Sequence, residues 1–173
     1  MFNRKKYEQD AVNLYRSTNA AILSTMSKKY EGYPFGSFIT YATDKSRTLF
    51  MYTSDIAQHT KNLKNDSKAC VTLFKLDTEY DKQNSSRLTL MGDLKKVPKD
   101  DLDDCQERFV KFLPESKKYS SMHDFKFYKL EISRVRWIGG FGDIAWINPK
   151  NWKDDSPKWS KNEKMMIDHM NDD

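Results

Sequence analysis

His169 stands in the stretch MMIDHMNDD at residues 165–173 and is one of only three histidines in the chain. In a helix, Met165, Met166, His169 and Met170 fall within one stripe. A neutral imidazole on an otherwise apolar helix face offers one nitrogen ligand and a hydrophobic wall, which is what a haem iron requires. The same pattern also suits a surface histidine on a fraying terminus, and a methionine stripe alone suits core packing or a subunit contact.

His59 follows Gln58 and precedes Lys61 by two positions, near the start of a predicted short helix. Free backbone N–H groups and a cation there suit a phosphate or carboxylate. A histidine packed between helix and sheet fits the same spacing. His123 and Asp124 are adjacent, an acid and base by type, but neighbours in a strand point to opposite faces, so the pair reads as a loop. Gly139, Gly140, Phe141 and Gly142 form GGFG between two apolar segments. Glycines in that setting imply positive-φ turns or the close approach of a flat ligand; a glycine bulge at a sheet corner is the alternative. It is not the dinucleotide fingerprint, since no helix follows, and no P-loop, HExxH or Ser-His-Asp order is present.

The elements that must position these residues follow from periodicity. Residues 6–18 place Tyr7, Ala11, Leu14 and Tyr15 at helical spacing. Residues 20–27, 35–43 and 47–54 are β-rich and separated by turn signals. Residues 55–66 predict a helix, with Asp55 and Gln58 spaced as a capping box and Ile56, His59, Thr60 and Leu63 on one face. Strands are predicted at 68–76, 87–97, 125–133 and 134–147. Pro98 opens a predicted helix over 98–112, with acidic residues in its first turn and Lys111 in its last. Residues 148–160 read as a polar connector, and Ser160 with Glu163 as the cap of the final helix. About seven strands with few helices point to a mainly β chain with flanking helices, a closed or partly closed antiparallel barrel. The expected division is 1–150 for the barrel with its N-terminal helix, and 151–173 for the connector and the helix carrying His169.

At 173 residues the chain suits one domain. Thirty Lys and Arg against 25 Asp and Glu leave +5, interspersed, which favours an anionic ligand but is far from the charge of a nucleic-acid binder. The 13% aromatic content argues for a packed core. Cys70 and Cys105 show neither zinc nor disulfide spacing. With no apolar signal or membrane-length segment, the expectation is a cytoplasmic protein with no membrane insertion.

Residues 33–41 (YPFGSFITY), 54–74 (SDIAQHTKNLKNDSKACVTLF), 137–147 (WIGGFGDIAWI) and the final IDHMNDD resemble the HugZ/HutZ-type haem-utilisation proteins. These belong to the pyridoxamine 5'-phosphate oxidase-like, FMN-binding split-barrel superfamily. The resemblance runs from about residue 10 to the end. It implies a split β-barrel homodimer that binds haem near the subunit interface and opens the porphyrin oxidatively, with an external electron donor, for iron acquisition.

Members of the family take their proximal ligand from the C-terminal segment, and the matching position is His169. The resemblance makes Asp124 the candidate partner of the ligand's far nitrogen and Arg87, Lys61 and His59 candidates for the propionates, with Asp124 and Arg87 the catalytic candidates. Gly139, Gly140, Phe141 and Gly142 join His169, His59 and Lys61 as cofactor contacts. Two other readings stand beside degradation: haem storage or delivery without turnover, and an FMN-dependent oxidoreductase using Lys61 on the phosphate. One departure is that many family members continue beyond the HMN motif.

Overall fold

The computed structural model describes residues 4–79 and 81–153. The expected helix α1 spans Arg4–Arg16, two residues earlier than periodicity suggested, and buries Ala11, Val12, Leu14 and Tyr15. Strands β1 (Ala20–Met26) and β2 (Pro34–Thr40) pair as a hairpin. Residues 35–43 do not form one strand: the chain turns at buried Tyr41, whose N–H donates to the Asn19 carbonyl, and continues as β3 (Ala42–Thr43). Next come β4 (Leu49–Ser54), α2 (Gln58–Asn65), β5 (Lys68–Lys75) and β6 (Ser86–Lys96). Then follow α3 (Leu102–Phe112), β7 (Phe125–Ile138), β8 (Ile144–Ile147) and α4 (Pro149–Trp152).

All strand pairings are antiparallel, in the order β2-β1-β5-β6-β7-β4-β3, with β8 added to β7. The sheet curls until β2 touches β4, giving the split β-barrel, with α1 plugging the concave side. Along β1, β5 and β6 alternate residues point inward, and Leu23, Val71, Leu73, Leu88 and Leu90 are fully buried. Each such side chain contributes about 2 kcal/mol of transfer free energy.

Two predicted strands, 125–133 and 134–147, are redivided. The first continues through the break as a single fourteen-residue strand, because Ser133 is an extra residue opposite the Met91/Gly92 step of β6. This bulge re-phases β7, so that Tyr128, Leu130 and Ile132 face the core before it and Val135 and Trp137 after it. The ladder is so close here that a Cβ on Gly92 would strike the Glu131 carbonyl oxygen.

The capping box at Asp55 does not form. Helix α2 begins at Gln58 with Ala57 at the cap and no side-chain cap bond. Asp55 instead pairs with Lys64 Nζ at 2.8 Å, and the Gln58 amide donates to Asn62 Oδ1 at 2.9 Å. Ile56 lies outside the helix and is exposed, while Thr60 and Leu63 are buried. Pro98 precedes a 3-10 turn (Lys99–Asp101), and α3 proper starts at Leu102. The polar connector hides a core residue: Trp152 is 0% exposed and packs on Tyr15. The predicted helix beginning at Ser160, with Met165, Met166, His169 and Met170, lies outside the described residues.

Candidate functional site on the outer sheet face

Among the described residues nothing covers the convex face of the sheet from β2 to β8, whereas α3 covers it over β3, β4 and the start of β7. Strand register builds this face row by row. Phe38, Ile22, Thr72, Thr89, Arg136 and Trp146 are successive partners across six strands. One row away run Phe74, Arg87, Ile138 and Ile144, and on the other side Cys70, Met91 and Arg134. Phe38, Phe74, Met91, Ile144 and Trp146 are all exposed. At the β6–β7–β8 end, three guanidinium groups therefore stand among apolar and aromatic side chains. The Arg136 guanidinium lies over the Trp146 ring, 5.0 Å from its centre.

The GGFG loop closes one side of this end. Gly140 and Gly142 have φ of 124° and 90°, the left-handed region where other residues are strained. A Cβ on Gly140 would sit 2.7 Å from Asn84 Oδ1, the atom that accepts the Phe141 N–H at 2.8 Å. The Gly139 N–H donates to the Asp143 carbonyl at 2.8 Å, and Tyr7 of α1 donates to Asp143 Oδ1 at 3.1 Å. That bond and burial raise the Tyr7 pKa, keeping its hydroxyl a donor. So fixed, the loop presents Phe141 at 76% exposure. Arg87 reaches into the same cleft, of about 320 Å³, with Ile138, Gly140, Phe141 and Ile144. Its guanidinium also donates to the Gln83 and Ser85 carbonyls at 3.1 and 3.3 Å.

A larger cleft of about 670 Å³ lies four residues further along β6, roughly 13 Å away. Met91, Arg134 and Trp146 line it from the sheet, and Arg4 and Glu8 from α1. Arg134, Arg136 and Trp146 were not singled out from the sequence. The alternation in RVRWI, which puts Arg134 and Arg136 on one face, is the signal that could have found the two arginines.

The remaining site candidates occupy the opposite end of the sheet. His59 Nε2 lies 2.6 Å from Thr53 Oγ1, on the core side of β4, and burial lowers its pKa, which favours the neutral ring. Lys61 is exposed on the outside of α2. The Asp124 carboxylate accepts a hydrogen bond from Ser54 Oγ, and the Asp124 carbonyl accepts the Asp55 N–H at 2.8 Å. Because Thr53 and Ser54 are consecutive in β4, His59 and Asp124 meet opposite faces of that strand. Arg87 and the GGFG loop are thus brought together in one protomer, while His59, Lys61 and Asp124 are not joined to them. His169 lies outside the described residues. Among the described residues no group of three or more His, Cys, Asp or Glu is placed to hold a metal ion, and no helix is long and apolar enough to cross a membrane.

The CREG, beta-barrel family matches residues 3–154. The chain is 34% identical over 119 residues to the chloroplastic non-canonical heme oxygenase HOZ of Arabidopsis thaliana, covering 69% of this chain and 36% of that protein. Among solved structures, a heme binding protein of Mycobacterium smegmatis is similar with a TM-score of 0.77 and 28% identity, over 85% of this chain and 60% of the other. ChuZ of Campylobacter jejuni shares the fold with a TM-score of 0.74 at 21% identity, over 87% and 63%. The chain thus spans about a third of the plant relative's length and under two thirds of each of these structures.

Proposed function

The chain belongs to the CREG β-barrel family, and on that premise we propose that it binds haem across the outer sheet face and degrades it oxidatively, releasing iron. The observation that carries this reading is the clustering of Arg87, Arg134 and Arg136 among Phe141, Ile144 and Trp146 on one exposed face. A porphyrin is a flat apolar macrocycle with two carboxylates, and the face fits both parts. Guanidinium forks pair with carboxylates through two parallel bonds, and an indole ring offers a flat apolar wall. The names and likenesses of the plant heme oxygenase and the mycobacterial heme binding protein support the same ligand.

His169 would hold the iron through a neutral imidazole nitrogen, and Asp124, as a hydrogen-bond acceptor for its other nitrogen, would strengthen its electron donation. When bound, haem supplies the metal at which oxygen is activated, with electrons from an external donor. Arg87 and the GGFG loop would hold the macrocycle edge, and exposed Lys61 would offer a polar contact from the opposite end, whereas His59 faces the core side of β4 and supports α2 there. A homodimer packed across the same face about a two-fold axis would set one protomer's Asp124 end beside the partner's Arg87 end. The exposed Ile22, Phe38 and Phe74 supply the apolar part of such a contact.

The test is titration with hemin followed by ascorbate in air with catalase present. A saturable Soret band that bleaches to a bile-pigment spectrum supports degradation. A band that persists means carriage without turnover, and no band removes haem from the reading. In the same assay His169→Ala should weaken haem binding strongly with the far-UV spectrum unchanged, and an unaltered Soret band would overturn the ligand assignment.

A further inference from the structure

We propose that the cleft between α3 and the β4–β7 ladder is a second binding site, for small aromatic amines. Helix α3 carries two stripes. Leu102, Cys105, Phe109 and Phe112 press onto Ala42, Val97 and Phe127 as a core separate from the barrel interior. Asp103, Gln106, Glu107 and Val110 lie one position round and face the 3-10 turn Pro114–Tyr119 across a cleft of about 420 Å³. That is within the usual range for small-molecule sites.

The floor is aromatic and fixed. Tyr52 stacks on Phe127 with ring centres 4.2 Å apart, and the Tyr52 hydroxyl donates to the Tyr119 carbonyl at 3.3 Å. A ring face is electronegative and attracts a cation. The rim reinforces that choice, since Asp103 and Glu107 stand one helical turn apart and neither forms an ion pair among the described residues. Ser116 supplies the independent sign of an occupant. It lines the cleft at 8% exposure, and its hydroxyl is buried with no hydrogen-bond partner among the described residues, a condition folded proteins seldom leave unanswered.

A protonated amine held between the carboxylates, with its ring over Tyr52 and Phe127, satisfies both the rim and the floor. Lys117 lies on the opposite wall, where it would meet the carboxylate of an amino acid and nothing on a free amine. Both sources share the aromatic ammonium, and the experiment separates them.

The full chain, without haem, is titrated with phenethylamine, phenylalanine and 3-phenylpropionate, followed by calorimetry and by amide shifts in the two-dimensional NMR spectrum. The expected result is saturable binding of phenethylamine, with shifts centred on Tyr52, Val110 and Ser116, and no binding of phenylpropionate. Affinity should fall roughly fivefold or more in the Asp103→Asn, Glu107→Gln double variant. Tighter binding of phenylalanine, with the gain lost in Lys117→Met, identifies an amino acid; a preference for phenethylamine identifies a free amine. Absence of saturable shifts, equal binding of phenylpropionate, or undiminished affinity in a folded double variant overturns the proposal. Since haem is absent throughout, these outcomes are independent of the haem titration.

Discussion

Arg136 and Trp146 are register partners across β7 and β8, and the guanidinium carbon stands 5.0 Å from the centre of the ring. The stack keeps the cation in one orientation on an exposed face. Under the proposed function it sets a carboxylate-binding fork beside a flat wall.

Arg136→Gln and Trp146→Ala should each weaken hemin binding by roughly five- to thirtyfold, corresponding to about 1–2 kcal/mol. Both side chains lie outside the core, so the unfolding midpoint should stay within about 0.5 kcal/mol of the parent. Hemin titration with a parallel urea melt checks this; equal affinities would remove the pair from the site.

Gly140→Ala should destabilise the fold by about 1–3 kcal/mol, since it combines a φ of 124° with a Cβ 2.7 Å from Asn84 Oδ1. Asn84→Ala removes the acceptor of the Phe141 N–H and should loosen the loop with a smaller loss. Denaturant unfolding of both variants, with hydrogen exchange at Phe141, measures the two effects.

Arg47 is 3% exposed, has a φ of 64°, pairs with Glu8 at 3.0 Å, and donates to the Trp152 carbonyl at 3.1 Å. Arg47→Met strips those bonds and should cost about 3 kcal/mol. Glu8→Gln, at a partly exposed carboxylate, should cost under about 1 kcal/mol. Urea melts followed by tryptophan fluorescence report both, and equal losses would show that Arg47 is not the main anchor of α4.

Burial lowers the His59 pKa, so the neutral ring is the form the folded state prefers. Below the ordinary histidine value of about 6.5 the unfolded chain binds a proton that the folded chain resists. Stability from this group is therefore complete above that pH and declines as pH falls toward the lowered folded value. Comparing unfolding free energies at pH 7.5 and 5.0, His59→Gln should show a shallower decline than the parent; identical slopes would exclude His59 as a source.

Much of the architecture was legible because strand alternation is a local signal. Leu88 and Leu90, or Val135 and Trp137, declare a buried face through spacing alone, and the glycines of GGFG foretold positive φ at Gly140 and Gly142. The break placed between residues 133 and 134 was a real irregularity, but a bulge within one strand rather than a turn between two. A sequence shows where regular pairing fails, not what the partner strand does there. Asp55 misled for a similar reason: the capping-box spacing was present, yet the Lys64 ammonium captured its carboxylate.

Which candidates share a site depended on pairings between distant segments. Arg87 and Phe141 are far apart in the chain and meet because β6 pairs with β7 and Asn84 anchors the loop. His59 and Asp124 meet adjacent residues of β4 and end on opposite faces. Local spacing and residue type settle which segments alternate, which glycines turn and which side chains carry charge. The curl of the sheet, the re-phasing at Ser133 and the row that ends in Arg136 and Trp146 arose only when distant strands paired, because strand register is a property of two segments and neither encodes it alone.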